Sequence, residues 1–149
     1  MKKLVTMFLL LLTSAAVFGA QEQIVLKIAT VAPSRSAWDI ELKKVAEEWN
    51  RITDGLVTVK IYNMYTLGGE KAGIQKLKAV RPGQQAPLDG AIFTTIGLHE
   101  LVPNAYVYTL TLPFLIQNQT ELDKVLSVYG SGIESKIKAA GYELIAWSN

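Results

Sequence analysis

A single histidine and no cysteine in 149 residues leave this chain little catalytic chemistry. His99 stands beside Glu100, and a metal site needs several converging nitrogen, oxygen or sulfur donors, more than one His–Glu dipeptide supplies. Nucleophilic catalysis would use His99 as the base. No Gly-x-Ser-x-Gly elbow accompanies it, and the serines and threonines elsewhere fall at expected helix caps or in strands. Glu47 and Glu48 are adjacent on an expected helix, where neighbours diverge by about 100°, so they share no site. Gly68-Gly69-Glu70 opens a second helix whose N–H groups attract anions, but it lacks the Gly-x-x-x-x-Gly-Lys-Ser/Thr pattern of a nucleotide loop. Two glycines also permit a sharp turn, with Glu70 as a favourable first-turn acid. These residues favour binding over catalysis, with no metal or cofactor.

The elements that would position them read as α/β throughout. Ile24 to Val31 is nearly all apolar, as in a strand covered on both faces. Trp38, Leu42, Val45, Trp49 and Ile52 then recur at spacings of four and three, one stripe of an amphipathic helix. Ser36 is its expected N-cap, with Asp39 bonding back, and Asp54-Gly55 closes it. Val57, Val59 and Ile61 alternate with polar neighbours as a second strand. Strand, helix and strand make a βαβ unit with parallel strands. Met64–Gly69 reads as a loop, Glu70–Val80 as a helix, Arg81–Pro87 as a surface loop, Leu88–Thr94 as a third strand and Ile96–Leu101 as a helical turn. Ala105–Leu112 is extended by composition. Thr120 with Asp123 and Ser131 with Glu134 predict two helices, Thr120–Val128 and Ser131–Ala140, and Gly141 stops the second. Tyr142–Trp147 reads as a last strand.

Charge and hydropathy place the chain. Lys2 and Lys3 precede the apolar run Leu4–Leu12 and small residues through Ala20, the layout of a secretory signal peptide over residues 1–20. Val17 and Gly19 suit a cut after Gly19, whereas a cut after Ala20 puts Phe18 at a small-residue position. An uncleaved anchor is the alternative, but the run is shorter than the ~20 residues needed to span a bilayer. Without residues 1–20 the lysines and arginines number 13, equal to the acids. A net charge of zero gives no support for nucleic-acid binding. Half the residues are apolar and 19% are charged, which excludes a disordered chain.

Six segments together resemble one family. LKIATVAPSRSAW (Leu26–Trp38), AEEWNRITDGLVTVKIY (Ala46–Tyr62), LGGEKAGIQKLKA (Leu67–Ala79), LDGAIFTT (Leu88–Thr95), LVPNAYVYTLTLPFLIQNQTELDKVL (Leu101–Leu126) and GYELIAWSN (Gly141–Asn149) are similar, in order and spacing, to the first half of DctP-type solute-binding proteins. These serve tripartite ATP-independent periplasmic (TRAP) transporters. The resemblance implies the first lobe, residues 21–149, of a two-lobe periplasmic-binding-protein-like fold, a mainly parallel sheet flanked by helices. It implies a periplasmic protein that closes on an organic acid and delivers it to a sodium-coupled membrane permease. Some relatives also use a tetratricopeptide-repeat accessory protein, on which these residues are silent. The arginine that grips the ligand carboxylate in this family has no counterpart here, so the chain is expected to be cut at the hinge. A non-transporting remnant, a secreted interaction domain and a His99 hydrolase are the competing readings. Open sheets bind at the carboxyl ends of their strands. That selects Val31, Ala32, Pro33 and Trp38 after the first strand, Leu67 and Glu70 after the second, and Phe93, Thr94 and Thr95 after the third. Their mostly apolar character predicts a ligand with a hydrophobic portion, such as a branched or aromatic acid.

Overall fold

The computed structural model describes residues 22–147, so the expected leader at 1–20 lies outside the described residues. Its centre is strand β1, Ile24–Thr30, followed by helix α1, Ala37–Ile52, and strand β2, Val57–Asn63. A 3-10 turn, Met64–Leu67, leads into α2, Gly69–Lys78, then strand β3, Gly90–Ile92, and helix α3, Thr95–Leu101. Two further 3-10 turns, Pro103–Ala105 and Val107–Thr111, precede the long helix α4, Gln119–Ala139. The sheet order is β2-β1-β3, with β1 parallel to both neighbours. The expected parallel βαβ unit is present, and the third strand extends it on the other side of β1.

Local chemistry fixes the helix ends. Ser36 Oγ accepts the Asp39 N–H at 3.2 Å, the expected cap of α1. The Asp39 carboxylate reaches one residue further back than expected, to the Arg35 N–H at 2.7 Å. At the other end Asp54 takes the left-handed conformation (φ 50°), and the N–H groups of Asp54 and Gly55 return to Arg51 and Asn50. Gly141 (φ 88°) ends α4 in the same manner, with its N–H on Lys138 and that of Tyr142 on Ile137. A side chain at either turn would feel the left-handed backbone, which aspartate tolerates and glycine takes freely.

The core lies where β1, the 3-10 turns and α2 to α4 meet. It is built from Ala29, Met64, Ile74, Leu77, Leu88, Leu101, Val102, Ala105, Val107, Ile133 and Ile137. Only the carboxyl half of β1 is covered: Ala29 and Thr30 are buried, whereas Ile24 is 54% exposed. The reason is β3, which pairs only with Ile28–Thr30. The apolar stripe of α1 packs chiefly against β2 and stays half-open at Trp38, Val45, Trp49 and Ile52.

Four expectations are corrected. The third strand is shorter than Leu88–Thr94, since Asp89 already caps the pairing through its side chain on the Lys27 N–H and Thr94 caps α3. Ala105–Leu112 is coiled into 3-10 turns rather than extended. Thr109 and Thr111 donate their hydroxyls to the Tyr106 and Tyr108 carbonyls, and this back-bonding competes with a strand ladder. The helices expected at Thr120–Val128 and Ser131–Ala140 are one. Asn118 and Glu121 form the cap, with Asn118 Oδ1 on the Glu121 N–H at 3.0 Å and Glu121 on the Gln117 N–H at 2.8 Å. Ser131 lies inside the helix, its carbonyl accepting from Ser135 Oγ at 2.7 Å. Tyr142–Trp147 is an irregular segment with no strand partner among the described residues, laid on the core by Tyr142, Leu144 and Trp147.

The single α4 makes a direct prediction. Asn118→Ala should lower the stability of the protein by about 1 kcal/mol. Ser131→Ala should change it by less than about 0.5 kcal/mol. Urea unfolding of both variants measures this, and a large loss for Ser131→Ala would restore the two-helix reading.

Candidate functional site

Because all three strands run parallel, their carboxyl ends share one edge of the sheet. The chain leaves β1 toward β2 and later returns across β1 to β3, so the loops after β1 and β3 diverge. A crevice at such a switch point is the usual ligand position in an open sheet. Val31 sits there, its N–H on the Ile92 carbonyl at 3.3 Å. Val31, Leu67 and Phe93 are half-buried against the core. Ala32 is buried outright, so it shapes the loop rather than its surface. Pro33 is exposed and its carbonyl accepts the Ser36 N–H at 3.0 Å. Trp38 stands 37% exposed in the first turn of α1.

Side chains hold the loops in place. Glu70, in the first turn of α2, accepts the Thr94 N–H at 2.7 Å and Thr94 Oγ1 at 2.8 Å, one bond on each oxygen. Thr94 caps α3 in turn, its Oγ1 accepting the Gly97 N–H at 3.2 Å. Sequence reasoning placed Glu70 and Thr94 at the same edge, and the structure joins them directly. Thr95 Oγ1 lies 3.3 Å from Thr111 Oγ1, which donates to the Tyr108 carbonyl at 2.9 Å. No bond links Trp38 to the Glu70–Thr94 pair among the described residues.

Three further residues act here that were not among the expected site residues, Asp39 being expected only as a partner of the Ser36 cap. Asn63, the last residue of β2, donates to the Ala32 carbonyl at 3.1 Å and accepts the Tyr65 N–H at 2.9 Å, tying the loop after β1 to the turn after β2. An asparagine directly after an alternating strand was the available signal. Gly97 has no room for a side chain: a Cβ would overlap the Glu70 carboxylate and come within 3.1 Å of the Phe93 ring. Asp39, nearly buried, holds Arg35 in a left-handed conformation (φ 65°). Lys43 Nζ at 2.8 Å, and then the Arg35 N–H, hold the Asp39 carboxyl below its ordinary value.

His99 is half-buried in α3 with its ring 4.4 Å from that of Tyr108, and its Nδ1 is buried with no partner among the described residues. Among the described residues no group of three or more His, Cys, Asp or Glu could hold a metal ion. No described helix is long and apolar enough to cross a membrane. Among the described residues, one concavity runs along Glu22–Lys27 with Asp89, at the amino ends of β1 and β3, and another lies between Leu115 and Tyr129.

The model of the family described as bacterial extracellular solute-binding protein, family 7 (DctP) matches residues 28–149. The chain belongs to the DctP family. No curated protein matches it. Solved structures of TRAP periplasmic solute-binding proteins share its fold. That from Roseobacter denitrificans, with bound L-galactonate, is 24% identical with TM-score 0.63, over 79% of this chain and 37% of its own. That from Ralstonia eutropha, with bound (S)-2-acetolactate, is 24% identical with TM-score 0.61, over 78% and 36%. That from Sulfurospirillum deleyianum, with bound succinate, is 21% identical with TM-score 0.63, over 80% and 36%. The chain thus spans little more than a third of the length of these structures. The mixed α/β architecture, a small parallel sheet flanked by helices, matches one lobe of the TRAP periplasmic solute-binding protein structures.

Two measurements probe the loop anchors. Gly97→Ala must displace Glu70 from Thr94 and should cost about 1–3 kcal/mol in chemical unfolding. Because the Asp39 carboxyl is held low in the folded state, its stabilisation is present at neutral pH and is lost as acid titrates the folded protein. Asp39→Asn should therefore unfold more easily than wild type at pH 7, and the difference should vanish in strong acid. A pH-independent difference in urea midpoint would show that the charge of Asp39 contributes nothing.

Proposed function

We propose that this DctP chain is the first lobe of an extracytoplasmic solute receptor, which captures an organic acid bearing a hydrophobic portion and passes it to a sodium-coupled TRAP permease. The observation that supports the reading is the convergence of the three described strand ends at one edge, with Glu70 committed to Thr94; Val31, Pro33, Trp38, Leu67 and Phe93 stand on the loops and helix starts that follow those strands. These residues, with Thr95 beside them and Ala32 shaping the loop from beneath, form this lobe's share of the ligand site. The ligands of the relatives support the acid: L-galactonate, (S)-2-acetolactate and succinate each carry a carboxylate. The apolar lining supports the hydrophobic portion, since buried apolar surface contributes about 25 cal/mol per Å².

The mechanism needs no covalent step. Closure of a second lobe over this face would remove the ligand from water and create a surface for the permease. The carboxylate would be gripped by that second lobe, as the family resemblance implies, while this lobe holds the rest of the molecule. Residues 1–20 would direct export and be removed, which places the receptor in the periplasm.

The test uses the protein as its own cell exports it. Intact mass should show a product far heavier than residues 21–149, starting after the leader. Calorimetry should then show branched or aromatic acids binding more tightly than sialic acid or succinate. A preference for sialic acid or a small dicarboxylate would sink the hydrophobic portion, and a product of residues 21–149 alone would remove the second lobe and with it the transport reading.

A further inference from the structure

Gly132 stands inside α4 for no reason that its neighbours supply. A helical glycine is the costliest residue short of proline, and it is kept where a close neighbour leaves no room for a side chain. A Cβ on Gly132 would meet nothing within 4 Å among the described residues, and its backbone is ordinary helix. The glycine belongs to a face. At about 100° per residue, Glu121, Val125, Val128, Tyr129, Gly132 and Lys136 share one side of α4. Gly130, Ile133 and Ile137 are turned to the core instead. Val125 is half-buried and the other five residues of the face are exposed.

The face reads the same in both directions. Reversed end for end, it sets Glu121 against Lys136, Val125 against Gly132 and Val128 against Tyr129. We infer that α4 is the contact of a symmetric dimer, in which a second copy of the chain crosses antiparallel about a two-fold axis between Val128 and Tyr129. Such an axis brings acid to base and side chain to gap, each twice. Lys136 forms no ion pair among the described residues, and its ammonium lies 5.0 Å from the centre of the Tyr106 ring. Glu121 accepts the Gln117 N–H and Asn118 Nδ2, which leaves its charge unmatched. Leu115 and Ile116 wall a concavity against Val125, Val128 and Tyr129. Phe114 stands beside it, left-handed (φ 65°) and 91% exposed, a strained setting for an aromatic residue. Phe114, Leu115, Val128 and Tyr129 together expose roughly 500 Å² of apolar surface per copy, so that two copies would bury about 1,000 Å², enough for a specific interface.

The test is analytical ultracentrifugation of the exported protein across the micromolar range. Wild type should dimerise. Gly132→Leu fills the gap that Val125 of the second copy would enter, and should raise the dissociation constant at least about tenfold. Its side chain meets open space, so its urea midpoint should not fall where wild type is monomeric. Lys136→Glu should weaken the dimer as well. Combining it with Glu121→Lys should restore association, because acid then meets base in the opposite order. Circular dichroism checks that this pair, which alters the α4 cap, still folds; if it does not, Gly132→Leu decides alone. A monomer at every concentration overturns the proposal. In that case a lower urea midpoint for Gly132→Leu shows the face covered by the same polypeptide, and an unchanged one shows it bare. A dimer indifferent to Gly132→Leu joins through another surface and overturns the proposal too. Solute binding is measured separately, so the receptor reading stands or falls without this dimer.

Discussion

The parallel pairing of β1 with both of its neighbours is the constraint from which the remaining geometry follows. Parallel strands cannot be joined by a tight turn, so each connection must carry a helix or long crossover back to the starting edge. Here α1 and α2 fill those crossovers, and all three strands end at the same side of the sheet. Loops from distant parts of the sequence therefore meet there without any loop being long. Asn63 bridges 31 residues to Ala32, and Glu70 bridges 24 to Thr94, each through side-chain bonds that the sheet alone would not supply. The sheet sets the neighbourhood, and these ties set the loop positions.

How much of this was legible depended on whether the signal was local. Buried runs and helical stripes announced β1, α1 and β2, and Gly141 announced the end of α4, because each feature is written in consecutive residues. Ala105–Leu112 misled because threonine and tyrosine favour strands only when a partner strand is present. With none alongside, the hydroxyls turned back on their own carbonyls. Ser131 looked like a cap, but a cap requires the helix to begin there, and Gly130 is buried within a continuous helix instead. The candidate edge was readable from strand order. That the Glu70 carboxylate would be occupied by Thr94 was not, since nothing in either segment names the other.

The polar groups at this edge are used economically. Glu70 would be an awkward surface for an anion, yet two donors from Thr94 share its charge before any ligand arrives. Such charge-assisted bonds contribute roughly 1.5–3 kcal/mol when shielded and less in water. Gly97 is the counterpart of that arrangement, since the carboxylate occupies the space where its side chain would stand. Asp39 plays a comparable part for the loop after β1, where the strain of a left-handed Arg35 is offset by a bond to its own N–H.

The position of β1 also bears on the order in which the molecule can assemble. The central strand is the first of the three described strands to be synthesised, and its covered end waits for partners far down the chain: Ile28–Thr30 pairs with Gly90–Ile92, and Lys27 meets Asp89 across 62 residues. Until Gly90–Ile92 emerges, Ile28–Thr30 has an unsatisfied edge and little reason to settle. A nascent chain of this topology cannot complete its central sheet until residue 92 has been made, so the covered end of β1 must stay pliant while the two crossover helices are synthesised.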